Sequence, residues 1–152
     1  MSPLNLPPFD AKIAQRNNMP HIFDNIRSKY VALTPEEWVR QHFVNYLANH
    51  LGYPKGLIAN EVAITLNGTK KRCDTVVYNT KLEPVVLIEY KAPEVAITQK
   101  TFSQITRYNM VLRVPWLIVS NGNEHYCCRV LYDENRVDFV PEIPPYSEIS
   151  SS

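Results

Sequence analysis

The stretch Pro84-Val85-Val86-Leu87-Ile88-Glu89-Tyr90-Lys91-Ala92-Pro93 constrains the fold more than any other part of the chain. Four consecutive apolar residues leave no face for water, so a strand formed here belongs in a core. Trp116-Leu117-Ile118-Val119-Ser120 repeats the requirement as a compact buried strand. Two helices are available to flank such a sheet. Thr34-Pro35-Glu36-Glu37 opens the first, with Thr34 as N-cap, Pro35 at the first helical position and Glu37 closing a capping box. Val39, Phe43, Tyr46, Leu47 and His50 are spaced as its buried face, and Gly52 ends it. The second opens at Thr98, carries Phe102, Ile105, Asn109 and Leu112 on its inner face, and stops before Pro115.

The remaining segments read as strands. HIFDNIRSKYVAL gives short ones around the turn-forming Asp24-Asn25. Three more are expected at roughly 58–66, 72–79 and 84–91, with Asn67-Gly68 as a hairpin turn and Thr80 to Glu83 as a loop. HYCCRVLY returns after Asn121-Gly122, and RVDFV adds an edge. The Pro-rich residues 1–18 read as an extended arm, 19–140 as one domain, and 141–152 as a flexible tail. The expected architecture is α/β, a mixed β-sheet flanked by helices.

Composition narrows the function classes. With 152 residues, net charge +1 and 45% apolar residues, this is an ordinary globular domain with no global field for nucleic acid or membrane. Any such partner is met by a local patch. Cys73, Cys127 and Cys128 form neither a disulfide framework nor zinc-ligand spacing, and read as reduced thiols of a soluble cytoplasmic protein. No apolar run approaches membrane-spanning length.

The apolar strand then breaks its own pattern. Val85, Leu87, Glu89 and Lys91 share one face, and Val86, Ile88 and Tyr90 the other. A four-residue loop pairs Asn79 with Pro84, sets Val76 opposite Leu87, and brings Asp74 opposite Glu89. Two carboxylates about 5 Å apart repel by roughly 3 kcal/mol at an effective dielectric near 20. A proton, the neighbouring Lys91 or a divalent cation could offset that cost, and oxygen ligands of this kind suit Mg²⁺ or Mn²⁺. Spacing alone also fits a solvated strand rim or a surface ion pair.

A strand-borne Asp74, a hairpin and then Glu89-Tyr90-Lys91 on an apolar strand resemble the PD-(D/E)xK nuclease superfamily. Gln104 and Tyr108 in SQITRYN match the Q-x-x-x-Y pattern of its RecB-like members. More narrowly, HIFDNIRSKYVALTPEEWVRQ, YP, IEYKAP, QITRYN and LIVSNG resemble the N-terminal nuclease domain of type I restriction endonuclease R subunits. The likeness extends over about His21 to Val130.

The resemblance implies a restriction-endonuclease-like core and Mg²⁺-dependent hydrolysis of DNA. Asp74 and Glu89 would hold the metal, with Glu37 on the first helix as an extra ligand and Glu36 behind it. Lys91 would orient or activate water, and Gln104 and Tyr108 would position water or backbone. Lys70, Lys71, Arg72 and Arg107 are the local cations for phosphate contact. Glu61 reads as structural, and His42 and His50 as packed. No G-x-x-x-x-G-K-[ST] loop is present, so ATP-driven translocation is not expected of these residues. Other restriction or defence subunits, or a homo-oligomer, would supply further binding surface. A non-catalytic nucleic-acid-binding or assembly module on the same fold is the second reading.

Overall fold

A computed structural model describes residues 3–150. A small antiparallel sheet comes first: β1 (Ile13–Arg16), β2 (Met19–Asp24) and β3 (Lys29–Ala32), in that order. Asn17 and Asn18 make the two-residue turn between β1 and β2, both with positive φ, the geometry a tight hairpin requires. Asp24 closes the next turn, its carboxylate accepting from the Ile26 and Arg27 amides at 2.7 and 3.2 Å.

Helix α1 (Pro35–His50) follows, then β4 (Ile58–Leu66), β5 (Thr69–Tyr78), β6 (Pro84–Tyr90), α2 (Gln99–Leu112), β7 (Trp116–Ser120), β8 (His125–Leu131), β9 (Arg136–Val140) and the short α3 (Tyr146–Ser150). The strands β4 to β9 form one six-stranded sheet in chain order. β6 and β7 are parallel, and the other neighbours antiparallel. Parallel neighbours need a crossover, and α2 provides it. The expected mixed α/β sheet flanked by helices is therefore present.

Both faces of the sheet are covered. Val39, Phe43 and Leu47 of α1 pack with Val77, Val86, Ile88 and Ile118 on one side. Ile105 of α2 packs with Val76, Leu87, Leu117 and Cys128 on the other. This accounts for the unbroken apolar runs of β6 and β7.

Four expectations are corrected. Residues 1–18 do not all lie apart as an arm: β1 is paired, Leu4 and Leu6 pack on the α1-side core, and the Asn5 amide donates to the Gly122 carbonyl at 2.9 Å. The segment 141–150 is not a loose tail, because Ile143 and Ile149 are buried and the Tyr53 hydroxyl donates to the Pro144 carbonyl at 2.8 Å. The first two residues of the expected arm and the last two of the tail lie outside the described residues. A bulge places Tyr78, rather than Asn79, opposite Pro84, so Val85 joins Val86 in the α1-side core. His50 is exposed at the last turn of α1, with its ring tilted against Tyr46, while His42 packs between Phe9 and Trp38.

Candidate active site

The bulge leaves the remaining register intact. Thr75 faces Ile88 and Val76 faces Leu87, so the next position brings Asp74 to Glu89. There the side chains take over the strand-to-strand bonding. The Asp74 amide donates to Glu89 Oε2 at 2.7 Å, and the Tyr90 amide donates to Asp74 Oδ2 at 2.8 Å. Asp74 Oδ1 and Glu89 Oε1 have no hydrogen bond among the described residues. Burial pushes both acids well above the usual carboxylate range. For Glu89 the charge of Asp74 adds to that rise, whereas the amide bonds, Lys91 and Arg40 act the other way on both.

The pair opens into a cleft of about 550 Å³ lined also by Lys91, Gln104, Tyr108, Arg72, Glu37 and Glu61. Val31 and Ala32 of β3 and Thr34 at the start of α1 line it as well. Burial, and then the charge of Glu89, push the Tyr108 hydroxyl upward, while Gln104 at its side opposes this.

Behind the pair stands a buried ion network. Arg40 Nε and Nη2 donate to the two oxygens of Glu37 at 3.0 and 2.7 Å, and its Nη1 donates to the Asp74 carbonyl at 2.8 Å. Arg27 Nη2 adds a bond to Glu37 at 2.8 Å, and Gln41 another at 2.9 Å. Burial opposes ionisation of Glu37, yet Arg40, Gln41 and Arg27 outweigh it and hold the carboxyl below its usual range. Arg27 Nε also donates to Asp24, which accepts from Asn60 at 3.1 Å. Asn60 accepts from Thr75 at 2.8 Å, and Thr75 from the Tyr90 hydroxyl at 2.9 Å. The network thus joins β2, α1, β4, β5 and β6 around the site.

Glu61 has a structural part, as its sequence position suggests, but in a geometry the sequence hid. It sits in β4 at φ 59°, in the left-handed region, opposite the Asp74 position. Ile58 and Asn60 turn toward the α1 side, whereas Val62 and Ile64 turn toward the α2 side. The strand reverses its faces at Glu61, and its carboxylate meets Arg40 at 3.3 Å and Arg27 at 4.0 Å.

Comparison with known proteins decides the family. The family model described as type I restriction enzyme R protein N terminus (HSDR_N) matches residues 35–144. The chain belongs to that family. No curated protein matches it in sequence. Among solved structures, its fold is similar to a fragment described as an HsdR subunit of a type I restriction enzyme from Vibrio vulnificus YJ016. The TM-score is 0.58 at 16% identity, covering 78% of this chain. This chain spans about a quarter of that protein, 25% of its length.

Seen as a member of this family, the chain gathers Asp74, Glu89, Lys91, Gln104, Tyr108, Glu37 and Arg72 in one cleft. Lys70 and Lys71 are exposed on β5 and Arg107 on α2, none of them among the residues lining it. Glu37 does not close a capping box. Thr34 accepts from its amide at 3.1 Å, but the carboxylate is taken by Arg27, Arg40 and Gln41. No cluster of three or more His, Cys, Asp or Glu side chains suited to a metal occurs among the described residues. The donor set instead fits a hard divalent cation held by two carboxylates, with water and phosphate completing its shell. No helix among the described residues is long and apolar enough to cross a membrane.

Proposed function

We propose that this family member is a metal-dependent nuclease of the PD-(D/E)xK type that hydrolyses DNA phosphodiester bonds. The reciprocal carboxylate-to-amide bonds of Asp74 and Glu89 carry the reading. They fix a buried Glu89 and a half-buried Asp74 side by side, each with one oxygen unbonded among the described residues, in a cleft that also holds Lys91. Such an arrangement is costly unless a cation or proton compensates it.

Asp74 and Glu89 would hold Mg²⁺ or Mn²⁺. A cation bound there supplies Lewis-acid polarisation of the phosphate and lowers the pKa of water. Lys91 contributes a positive, hydrogen-bonding amine at the same strand end, suited to orienting a water molecule and to the developing phosphate charge. Gln104 offers an amide to position water or a phosphate oxygen, and the Tyr108 hydroxyl is a further donor toward the DNA backbone. Glu37 works from behind, holding Arg40 against the Asp74 main chain. Arg72 is the cleft-lining cation for the flanking phosphate, with Lys70, Lys71 and Arg107 reaching it farther out. Restriction or defence subunits are the partners this reading calls for, and a homo-oligomer is the other way to extend the DNA surface.

Calorimetric titration of Mg²⁺ and Mn²⁺ tests the reading, wild type against Asp74→Ala and Glu89→Ala. The same samples are assayed on supercoiled, linear and single-stranded DNA. Binding and cleavage lost together in both variants support the nuclease. A wild type that takes up no divalent cation, even beside DNA, overturns it and leaves the binding-module alternative.

A further inference from the structure

We infer that the outer face of the small β1–β3 sheet is a second nucleic-acid contact surface, continuous with the cleft, on which Lys12 and Arg16 bind the phosphodiester backbone. The substrate class rests on the nuclease reading; the surface itself rests on separate observations. In this sheet Ile22 and Asp24 are buried, which makes theirs the inner face. Alternation then turns Lys12, Arg16, Met19, His21, Phe23 and Tyr30 outward together.

That face pairs cations with rings. Phe23 and Tyr30 are cross-strand partners with ring centroids 5.2 Å apart, edge to face. Arg16 lays its guanidinium 4.5 Å from the Tyr30 centroid, and the Lys12 ammonium lies 6.0 Å from that of Phe23. Neither cation has a carboxylate within ion-pair distance among the described residues. A guanidinium held over a ring without a carboxylate partner is partly ordered and has donors left for phosphate. Cations tracking a backbone beside aromatic platforms are the recurring means of binding a nucleic-acid strand without reading its sequence.

Ala32 is the cross-strand partner of His21 on this face, and it lines the cleft that holds Asp74 and Glu89. A strand lying in the cleft therefore leaves it over β3 and meets Tyr30, Arg16 and Lys12. An acidic protein segment would be drawn to the same cations, but it would find no use for continuity with the carboxylate pair.

The test is fluorescence anisotropy of a fluorescein-labelled oligonucleotide, single-stranded and as duplex, in EDTA so that nothing is cleaved. The variants are Lys12→Glu/Arg16→Glu, both at exposed positions, and Tyr30→Leu against Tyr30→Phe, each with its thermal melt recorded. Charge reversal should weaken binding at least about tenfold near 0.1 M salt. It should also lower the slope of log Kd against log salt by about 1 to 2, at roughly 0.7 to 0.9 for each phosphate no longer neutralised. Tyr30→Phe should bind as wild type, and Tyr30→Leu more weakly. Unchanged affinity and slope in the double variant overturn the inference, as does a wild type that binds neither DNA form. Displacement by polyglutamate as effective as by unlabelled DNA also overturns it, in favour of an acidic protein partner. Cleavage by wild type with undiminished binding by the double variant removes this surface and leaves the nuclease. Binding that depends on Lys12 and Arg16 without cleavage in Mg²⁺ does the reverse.

Discussion

Arg40, buried in α1, donates to the main-chain carbonyl of Asp74 across the sheet at 2.8 Å while its other nitrogens bind Glu37. One guanidinium therefore fixes both the first helix and the strand end that carries the proposed metal ligand. Its loss leaves a buried carboxylate short of its main partner, with Arg27 and Gln41 still bonded. Breaking a buried pair from one side costs about 3–5 kcal/mol. Arg40→Met should lose about 3 kcal/mol in urea denaturation, and Glu37→Gln/Arg40→Met should recover part of it, since no uncompensated charge then remains. A loss below about 1 kcal/mol would mean that the network does not brace the site.

The acid pair makes stability pH-dependent. Burial, and for Glu89 the charge of Asp74, raise both folded pKa values above their unfolded ones. The folded protein then keeps protons that the unfolded chain has released, so stability falls as pH climbs from about 4 through the raised values. Asp24 and Glu37 act oppositely, because hydrogen bonds overcome burial and lower their pKa; their contribution is present above the ordinary range and is lost in acid. In EDTA, Tm should peak near about pH 4–5 and decline toward about pH 8. Asp74→Asn and Glu89→Gln can still accept the amide bonds, so each should flatten that decline and gain about 1–3 kcal/mol at pH 8, the scale of the repulsion removed. Added Mg²⁺ should raise the wild-type Tm at pH 8 and leave the variants unmoved. A Tm independent of pH over this window would refute the pairing.

Much of this arrangement is legible in the sequence, for identifiable reasons. Glu89 and Lys91 stand out because β6 is otherwise apolar, and the pairing of Val76 with Leu87, read from the loop length, holds although a bulge at Tyr78 changes the pairing nearer the loop. The Thr34 cap and Gly52 stop mark α1 locally. What escapes depends on groups distant in sequence. Asn17-Asn18 is a readable hairpin signal, obscured by the surrounding prolines. Arg40 meets Asp74 across 34 positions, and Tyr53 meets Pro144 across 91, which no spacing rule reports. Glu61 looks like an ordinary strand residue until its φ is known.

That φ of 59° at Glu61 leads to a separate expectation. A non-glycine residue held there costs of order 1–3 kcal/mol, sustained by the structure around it. Its ion pairs with Arg40 and Arg27 are part of that support. Glu61→Ala keeps the strain and removes the pairs, so it should destabilise by about 1–2 kcal/mol. Glu61→Gly relieves the strain and should be the more stable of the two by about 1 kcal/mol, despite its greater chain entropy when unfolded. The order of the two in chemical denaturation checks this, and Ala above Gly would show that the backbone is not strained.

Lys91 separates chemistry from binding. It lines the cleft beside Asp74 and Glu89, yet among the described residues only its main-chain amide is bonded, to the Ser120 carbonyl at 2.9 Å. That amide bond survives any change of side chain, so Lys91→Met should fold normally and still bind the cation through the two carboxylates. What it loses is the positive donor for the developing phosphate charge, worth about 10²–10³ in kcat for a single preorganised group. The expected pattern is kcat down by that factor with KM for DNA and calorimetric Kd for Mg²⁺ both within a few-fold of wild type. Gln104→Ala should lower kcat less, since it withdraws a neutral donor that water can partly replace. If Lys91→Met weakens cation binding and leaves kcat at saturating Mg²⁺ unchanged, Lys91 serves the electrostatics of the acid pair alone, and the attacking water must be oriented from elsewhere in the cleft.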